Sequence, residues 1–183
     1  SEPYFCSSAT GNYFVRENSP VLDGGFNGAL VGCLSAGCGP VNLGPVWYVD
    51  SNGDNTSDGS LETPFETINW AVNTASNGDT IRLNPGVYFG SVDFDGKFLV
   101  IESRFYELND SAIIAETFFA PGPVGGNCLS LEGPDDENIT IRGLSFRGGS
   151  DPVGGGLVIS NCSPTLENLI IEDNTSEIGG GVY

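Results

Sequence analysis

The sequence predicts an all-β fold, a parallel β-helix (solenoid) closed at its start by one short helix. Three observations carry this expectation. The first is a repeat: Ile141-Arg142-Gly143-Leu144-Ser145-Phe146 matches Leu166-Glu167-Asn168-Leu169-Ile170-Ile171, and Val153-Gly154-Gly155-Gly156-Leu157 matches Ile178-Gly179-Gly180-Gly181-Val182. Both pairs are separated by about 25 residues, a period that belongs to stacked layers of short strands. The second is composition. Gly, Asn, Asp, Ser and Thr abound while helix formers are scarce, which suits short strands punctuated by turns. The third is that only one stretch, starting near Pro64, places apolar residues at helical spacing.

Residues 1–39 form the first segment. Tyr13-Phe14-Val15 reads as a strand, Glu17-Asn18-Ser19-Pro20 and Asp23-Gly24-Gly25 as turns, and Ala29-Leu30-Val31-Gly32 as another short strand. Cys33 and Cys38 are spaced to close a small loop, and Cys38 with Cys6 is an equally good pairing. Residues 40–46, bounded by Gly39-Pro40 and Gly44-Pro45, read as a linker.

Residues 47–79 form the entry. Trp47-Tyr48-Val49 is a short strand, and a polar loop runs from Asp50 to Ser60. Thr63-Pro64-Phe65-Glu66 has the form of a capping box, with Pro64 at the first helical position. Phe65, Ile68, Ala71, Val72 and Ala75 fall on one face, so a helix is expected over Pro64–Ala75.

Residues 80–183 carry the layers, about four of them at the period above. Strands are expected at Thr80–Leu83, Val87–Phe89, Val92–Phe94, Phe98–Ile101, Ala112–Ala115 and Leu129–Leu131, then along the repeats. Leu144, Phe146, Leu169 and Ile171 point inward and pack on equivalents one layer away. One layer alone cannot bury its apolar face, whereas a stack can. A leucine-rich repeat has a similar period, but its Leu-x-x-Leu-x-Leu pattern is not sustained here. A β-sandwich would not require the constant offset.

Charge narrows the partners. The net charge is −18, with six basic residues and no His. Such a surface repels nucleic acid and anionic membranes. No apolar run is long enough to cross a bilayer as a helix. The chain has no Met and begins at Ser1, as expected of a processed chain or a fragment. Five Cys in a turn-rich acidic chain point to an oxidising compartment, secreted or on the cell surface. With no CxxC pair and no His, a zinc site is not expected.

Several motifs resemble a known group. Trp47-Tyr48-Val49-Asp50, Gly53-Asp54, Asp58-Gly59-Ser60, Pro64-Phe65, Thr67-Ile68 and Ala71 resemble the entry to right-handed parallel β-helix proteins of the pectate-lyase-like superfamily. Gly78-Asp79-Thr80-Ile81, Pro85-Gly86-Val87-Tyr88 and the Gly-Gly-Gly turns fit the same pattern. The resemblance covers Trp47 to Tyr183 and implies a right-handed, single-stranded β-helix whose helix caps the first layer. It says little of activity, because the superfamily includes lyases, hydrolases, adhesins and structural proteins. Asn18-Ser19-Pro20-Val21-Leu22-Asp23-Gly24-Gly25 resembles the closing turn of such a solenoid. A closing end therefore precedes an opening cap, which implies a slice of a tandem array or a segment that covers the open layer of another copy.

Candidate chemistry is sparse. Asp50, Asn52, Asp54 and Asp58 present alternating oxygen donors in a Gly-containing loop, which resembles a calcium loop but lacks its closing Glu. The competing reading is a connector whose Asx side chains bond local backbone N–H groups. Asp93 and Asp95 share a strand face, and Asp135-Asp136-Glu137 and Glu172-Asp173 are further acidic groups; paired carboxylates run glycoside hydrolysis, but an acidic solvent face is the preferred account, since carboxylates occur throughout the chain. A lyase would need a basic proton acceptor beside calcium, and Arg142 and Arg147 are the repeat region's basic residues. Arg142 shares the parity of Leu144 and Phe146, so a bend must intervene if it is exposed. No residue is assigned a catalytic role.

The expected function is structural: an extracellular module that stacks or polymerises head-to-tail with other copies into a filament or surface array. The alternative is a carbohydrate-active module, lyase or hydrolase, or an adhesin for neutral polysaccharide. An enzyme calls for a cleft with clustered acid and base groups, and a structural unit calls for complementary end faces.

Overall fold

The computed structural model describes residues 45–89, 92–94, 96–133 and 139–183, with the backbone alone of Phe5–Ser7 and Asn12–Val15. The chain divides into two units, Ser1–Leu43 and Gly44–Tyr183. In the first unit β1 (Phe5–Ser7) and β2 (Asn12–Val15) pair antiparallel. The expected strand at Ala29–Gly32 and the side chains of Cys6, Cys33 and Cys38 lie outside the described residues, as do Asp95 and Asp135-Asp136-Glu137.

The second unit is built on three parallel sheets. The first contains β3 (Val46–Val49), β4 (Thr80–Leu83), β6 (Val100–Ser103), β9 (Thr140–Arg142) and β12 (Thr165–Glu167), adjacent in that order. The second contains β5 (Gly86–Phe89), β7 (Thr117–Ala120), β10 (Ser145–Arg147) and β13 (Ile170–Glu172), again in chain order. The third pairs β8 (Leu129–Glu132) with β11 (Leu157–Ser160). Among the described residues the unit is mostly β, with three short helices.

The registers reproduce the sequence repeat. Thr140 pairs with Thr165, Ser145 with Ile170 and Phe146 with Ile171, an offset of 25 that also separates Gly149 from its partner Asn174. The bridges Val153 to Ile178 and Leu157 to Val182 keep it. Leu144 and Leu169 share a column, because the Ile170 amide donates to the Leu144 carbonyl.

Side chains alternate in and out of each strand, so inward positions stack into columns. Trp47, Ile81, Ile101 and Ile141 form one, all buried, and Leu166 continues it half-buried. Tyr88, Phe119 and Phe146 form another, with ring centroids 6.2 and then 5.3 Å apart. Each fully buried ring or aliphatic side chain contributes about 1.5–3 kcal/mol.

The turns repeat as well. Gly143 (φ 65°) and Asn168 (φ 50°) occupy the same left-handed position one repeat apart, as do Gly148 (φ 80°) and Asp173 (φ 55°). Left-handed backbone favours Gly, Asn and Asp, which is why turn residues vary among these three. The bend at Gly143 resolves the parity of Arg142: Ile141 and Leu144 both point inward while Arg142 is partly exposed.

The capping helix departs from its expected start. α1 spans Ile68–Thr74, and its N-cap is Thr67, whose hydroxyl accepts from the Trp70 amide, not Thr63. Pro64 and Phe65 are held beside β3 instead: the Phe65 amide donates to the Tyr48 carbonyl and the Asp50 amide to the Phe65 carbonyl. Those bonds take Phe65 into a strand-like bridge with Val49, so helix cannot begin there. The apolar face stands as read, with Phe65, Ile68, Ala71, Val72 and Ala75 all buried. At the other end the Lys97 ammonium donates to the carbonyls of Val72 and Asn73, satisfying groups that a helix C-terminus leaves free.

Two short helices were not expected. α2 (Phe105–Leu108) and α3 (Ala112–Glu116) lie between β6 and β7. Ala112–Ala115 is thus helical, not a strand. Its amide start is held by the Asp110 carboxylate, and the adjacent Ile113 and Ile114 are both buried, which alternation along a strand would not allow. Val92-Asp93-Phe94 alternates as expected, with Val92 and Phe94 buried and Asp93 exposed, but it is not assigned as a strand.

Candidate functional site

The Asp50–Asp58 loop spends its oxygens locally. The Asp50 carboxylate accepts from the Asn52 amide at 2.8 Å and from Asn84 Nδ2 at 2.9 Å. Asp54 Oδ1 accepts from the Thr56 amide and hydroxyl, both at 2.8 Å. Asp58 Oδ1 accepts from the Ser60 amide at 3.0 Å and the Thr63 hydroxyl at 2.7 Å. Burial raises the Asp50 pKa, but the bonds from Asn52 and Asn84 outweigh it and hold the carboxyl below its ordinary value. Asp54 is lowered by its bonds from Thr56. Among the described residues no three Asp, Glu, Cys or His side chains are grouped to hold a metal. In the same loop Asn55 Oδ1 accepts from the amides of Glu66 and Thr67.

A groove of about 330 Å³ lies between α1 and β5, lined among others by Ser51, Glu66, Asn69, Tyr88 and Phe89. Phe89 is 63 % exposed there. Asp93 lies nearby, its amide donating to Asn69 Oδ1 at 3.3 Å. Among the described residues no basic side chain lines the groove. The Tyr88 hydroxyl turns away into the core, donating toward the Val49 and Asn84 carbonyls.

A charged column crosses the outer face of the first sheet. Tyr48, Arg82, Glu102, Arg142 and Glu167 occupy one register line on successive strands. Glu102 is fully buried. Its Oε1 accepts from Arg82 Nε and Nη2 at 2.8 and 2.6 Å, and its Oε2 from Arg142 Nε and Nη2 at 2.7 and 2.6 Å. Burial works against the Arg82 charge, and the bond and charge of Glu102 outweigh it, so the guanidinium is held above its ordinary value. α2 roofs the column. The Arg142 guanidinium lies 4.3 Å from the Tyr106 ring centroid, and the Tyr106 hydroxyl accepts from Asn168 at 2.7 Å.

Arg147 lies on the second sheet, 3.8 Å from Glu172 and over the Phe118 ring. Both arginines weighed as proton acceptors therefore sit in ion pairs. Glu102 is a residue the sequence did not single out. Its signal was a charge directly after the apolar run Phe98–Ile101, but its partners come from strands 20 and 40 residues away.

Cys128 is buried and carries a free thiol, and Cys162 is half-buried. Burial raises the Cys128 thiol despite bonds at Gly149 and Arg147, which makes it an inert core residue.

The last layer differs from those before it. β12 and β13 are the edge strands of their sheets, each paired on one side among the described residues. Above buried Ile141, Leu144 and Phe146 stand half-buried Leu166, Leu169 and Ile171. Ile178, Val182 and Tyr183 are 58, 43 and 55 % exposed. This face presents apolar side chains beside strands that are last in their sheets among the described residues.

Comparison with known proteins adds one relative. The chain is 27% identical over 140 residues to the uncharacterized protein YwoF of Bacillus subtilis (strain 168), covering 72% of this chain and 28% of that protein. The chain thus spans little more than a quarter of the relative's length. No family model matches, and neither does any solved structure.

Proposed function

We propose that the three parallel sheets wind as one right-handed parallel β-helix, and that the protein is a structural module whose last layer receives a layer from another copy, head-to-tail. The observation that carries this is the last layer itself. Leu166, Leu169 and Ile171 continue columns that are fully buried one layer earlier, and among the described residues β12 and β13 each have a neighbour on one side alone. The constant offset of 25 across β9–β12 and β10–β13 supports the winding, with the sequence resemblance behind it. The right hand follows from the strong preference of parallel crossovers for it.

The two ends differ. α1 buries Ile68, Ala71 and Val72 against the first strands, so the start is covered. Joining unlike ends is a heterologous contact, which yields a ring or an open filament. Main-chain hydrogen bonds supply adhesion and the inward columns supply register.

Sedimentation of the 183-residue chain tests this reading. The mass-average should climb above the monomer as concentration rises, and electron microscopy should show rings or filaments. A chain that stays strictly monomeric across that range contradicts it.

A further inference from the structure

The first sheet begins one strand earlier than the second. Among the described residues the first runs β3-β4-β6-β9-β12 and the second β5-β7-β10-β13. β4 and β5 follow each other in the chain and belong to one layer, since β6 and β7, the strands of the following layer, pair with them. On its other side β4 carries β3, from Val46 beside Thr80 to Val49 beside Leu83. β5 carries no described strand there. After Val49 the chain leaves through the Asp50–Ser60 loop and returns as Phe65 and α1, so the place beside β5 is passed over. This edge lies in the middle of the chain.

The groove between α1 and β5 runs along this edge. At the Gly86 end an added Cβ would stand 3.1 Å from Ser51 Oγ. Phe89, Val92 and Asn69 line the other end. The span is that of four extended residues, about 13 Å. An edge strand turns about half of its N–H and C=O groups outward. Among the described residues no backbone hydrogen bond reaches Gly86–Phe89 from the side away from β7. Glu66 and Asn69 stand exposed on the far wall, while Ile68 between them is buried, so this segment closes the interior and leaves the edge open. Charge selects the occupant. Glu66 lines the groove and Asp93 is exposed beside it. Lys97, which follows closely in sequence, is held by the Val72 and Asn73 carbonyls. The Phe89 ring, 63 % exposed, offers a face that attracts an ammonium or guanidinium group. A chain of net charge −18 with six basic residues is itself a poor source of such a group.

We infer that β5 receives an extended segment of a basic partner protein, which adds as a further strand in the groove and sets a Lys or Arg side chain against Glu66 and the Phe89 ring. Main-chain bonds to β5 give adhesion whatever the partner's sequence, and the Glu66 and Phe89 contacts choose the side chain. The groove is distinct from the last layer, so this inference stands whether or not copies stack.

An acetylated, amidated peptide of alternating Val and Lys is the probe, because alternation sets its ammonium groups on one face of an extended strand. Titrated into the nitrogen-15-labelled chain, it should shift the amide resonances of Val87–Phe89, Glu66 and Asn69 together, and added salt should weaken it. The same peptide with Glu in place of Lys should bind about tenfold more weakly, since like charges then meet. Glu66→Gln and Phe89→Ala, both at exposed positions, should keep the wild-type melting temperature and each weaken binding about twofold to fivefold. N-methylation of alternate peptide residues removes the donors from one edge of the strand, so one phase of methylation should abolish binding and the other spare it. The inference is overturned if the Lys peptide does not bind, if the Glu peptide binds as well, if neither variant weakens binding, or if the two methylated peptides bind alike. Cellotetraose shifting these resonances where the peptide does not would make the groove a sugar site instead.

Discussion

Glu102→Gln tests the charged column. The substitution keeps the shape of the side chain and removes its charge. Wild-type Glu102 takes four guanidinium donors at 2.6–2.8 Å. Gln has one carbonyl oxygen, and its NH2 then faces a guanidinium, donor against donor. At least two charge-assisted bonds are lost, each worth about 1.5–3 kcal/mol. Breaking a buried pair costs about 3–5 kcal/mol when its charged partner stays buried. Here Arg82 and Arg142 remain 17 and 31 % exposed, so water recovers part of that. The expected loss is about 3 kcal/mol, or roughly 6–12 °C in Tm for a domain of this size. Urea unfolding followed by circular dichroism measures it, with an unchanged m value showing that the native surface is intact. Glu107→Gln is the control. Its partner Arg104 lies three residues away and both are partly exposed, so about 0.5 kcal/mol is expected. If Glu102→Gln costs no more than Glu107→Gln, the column does not hold the strands in register and the reasoning fails.

Gly143→Ala should destabilise by about 1–3 kcal/mol, because φ is 65° and the new Cβ would lie 3.0 Å from Ser103 Oγ and 3.1 Å from the Tyr106 ring; thermal melting checks it. The pH profile should fall at both ends. Asp50 has a depressed pKa, so its contribution is present above the ordinary 3.8 and is lost as pH drops through the folded value; Asp50→Asn should flatten that acid limb. Burial, helped by the Asp50 charge, raises the Tyr88 phenol above its ordinary 10.0. Its contribution is full below that pH and is lost as pH climbs past it, so Tyr88→Phe should extend stability into alkali.

The repeat was legible from sequence because stacked layers place like residues at one offset. Leu144 and Leu169, Gly143 and Asn168, and the two Gly-Gly-Gly turns all declared the register that the sheets adopt. The apolar face of α1 was legible for the same kind of reason, since spacing along a helix is local. Its start was not, because the bonds that hold Phe65 come from β3, and tertiary pairing overrode a capping box.

What the amino-acid order determined by itself was periodicity: where strands recur, which side chains point inward, and which turn positions take Gly, Asn or Asp. Tertiary structure alone decided what distant strands do to one another. Glu102 became a buried carboxylate only when Arg82 and Arg142 arrived on either side of it, and Asp50 gained the Asn84 side chain only when a residue 34 positions along the chain came beside it. Local pattern records the spacing of residues along the chain, whereas the charge balance and donor supply at a site depend on residues far apart in sequence.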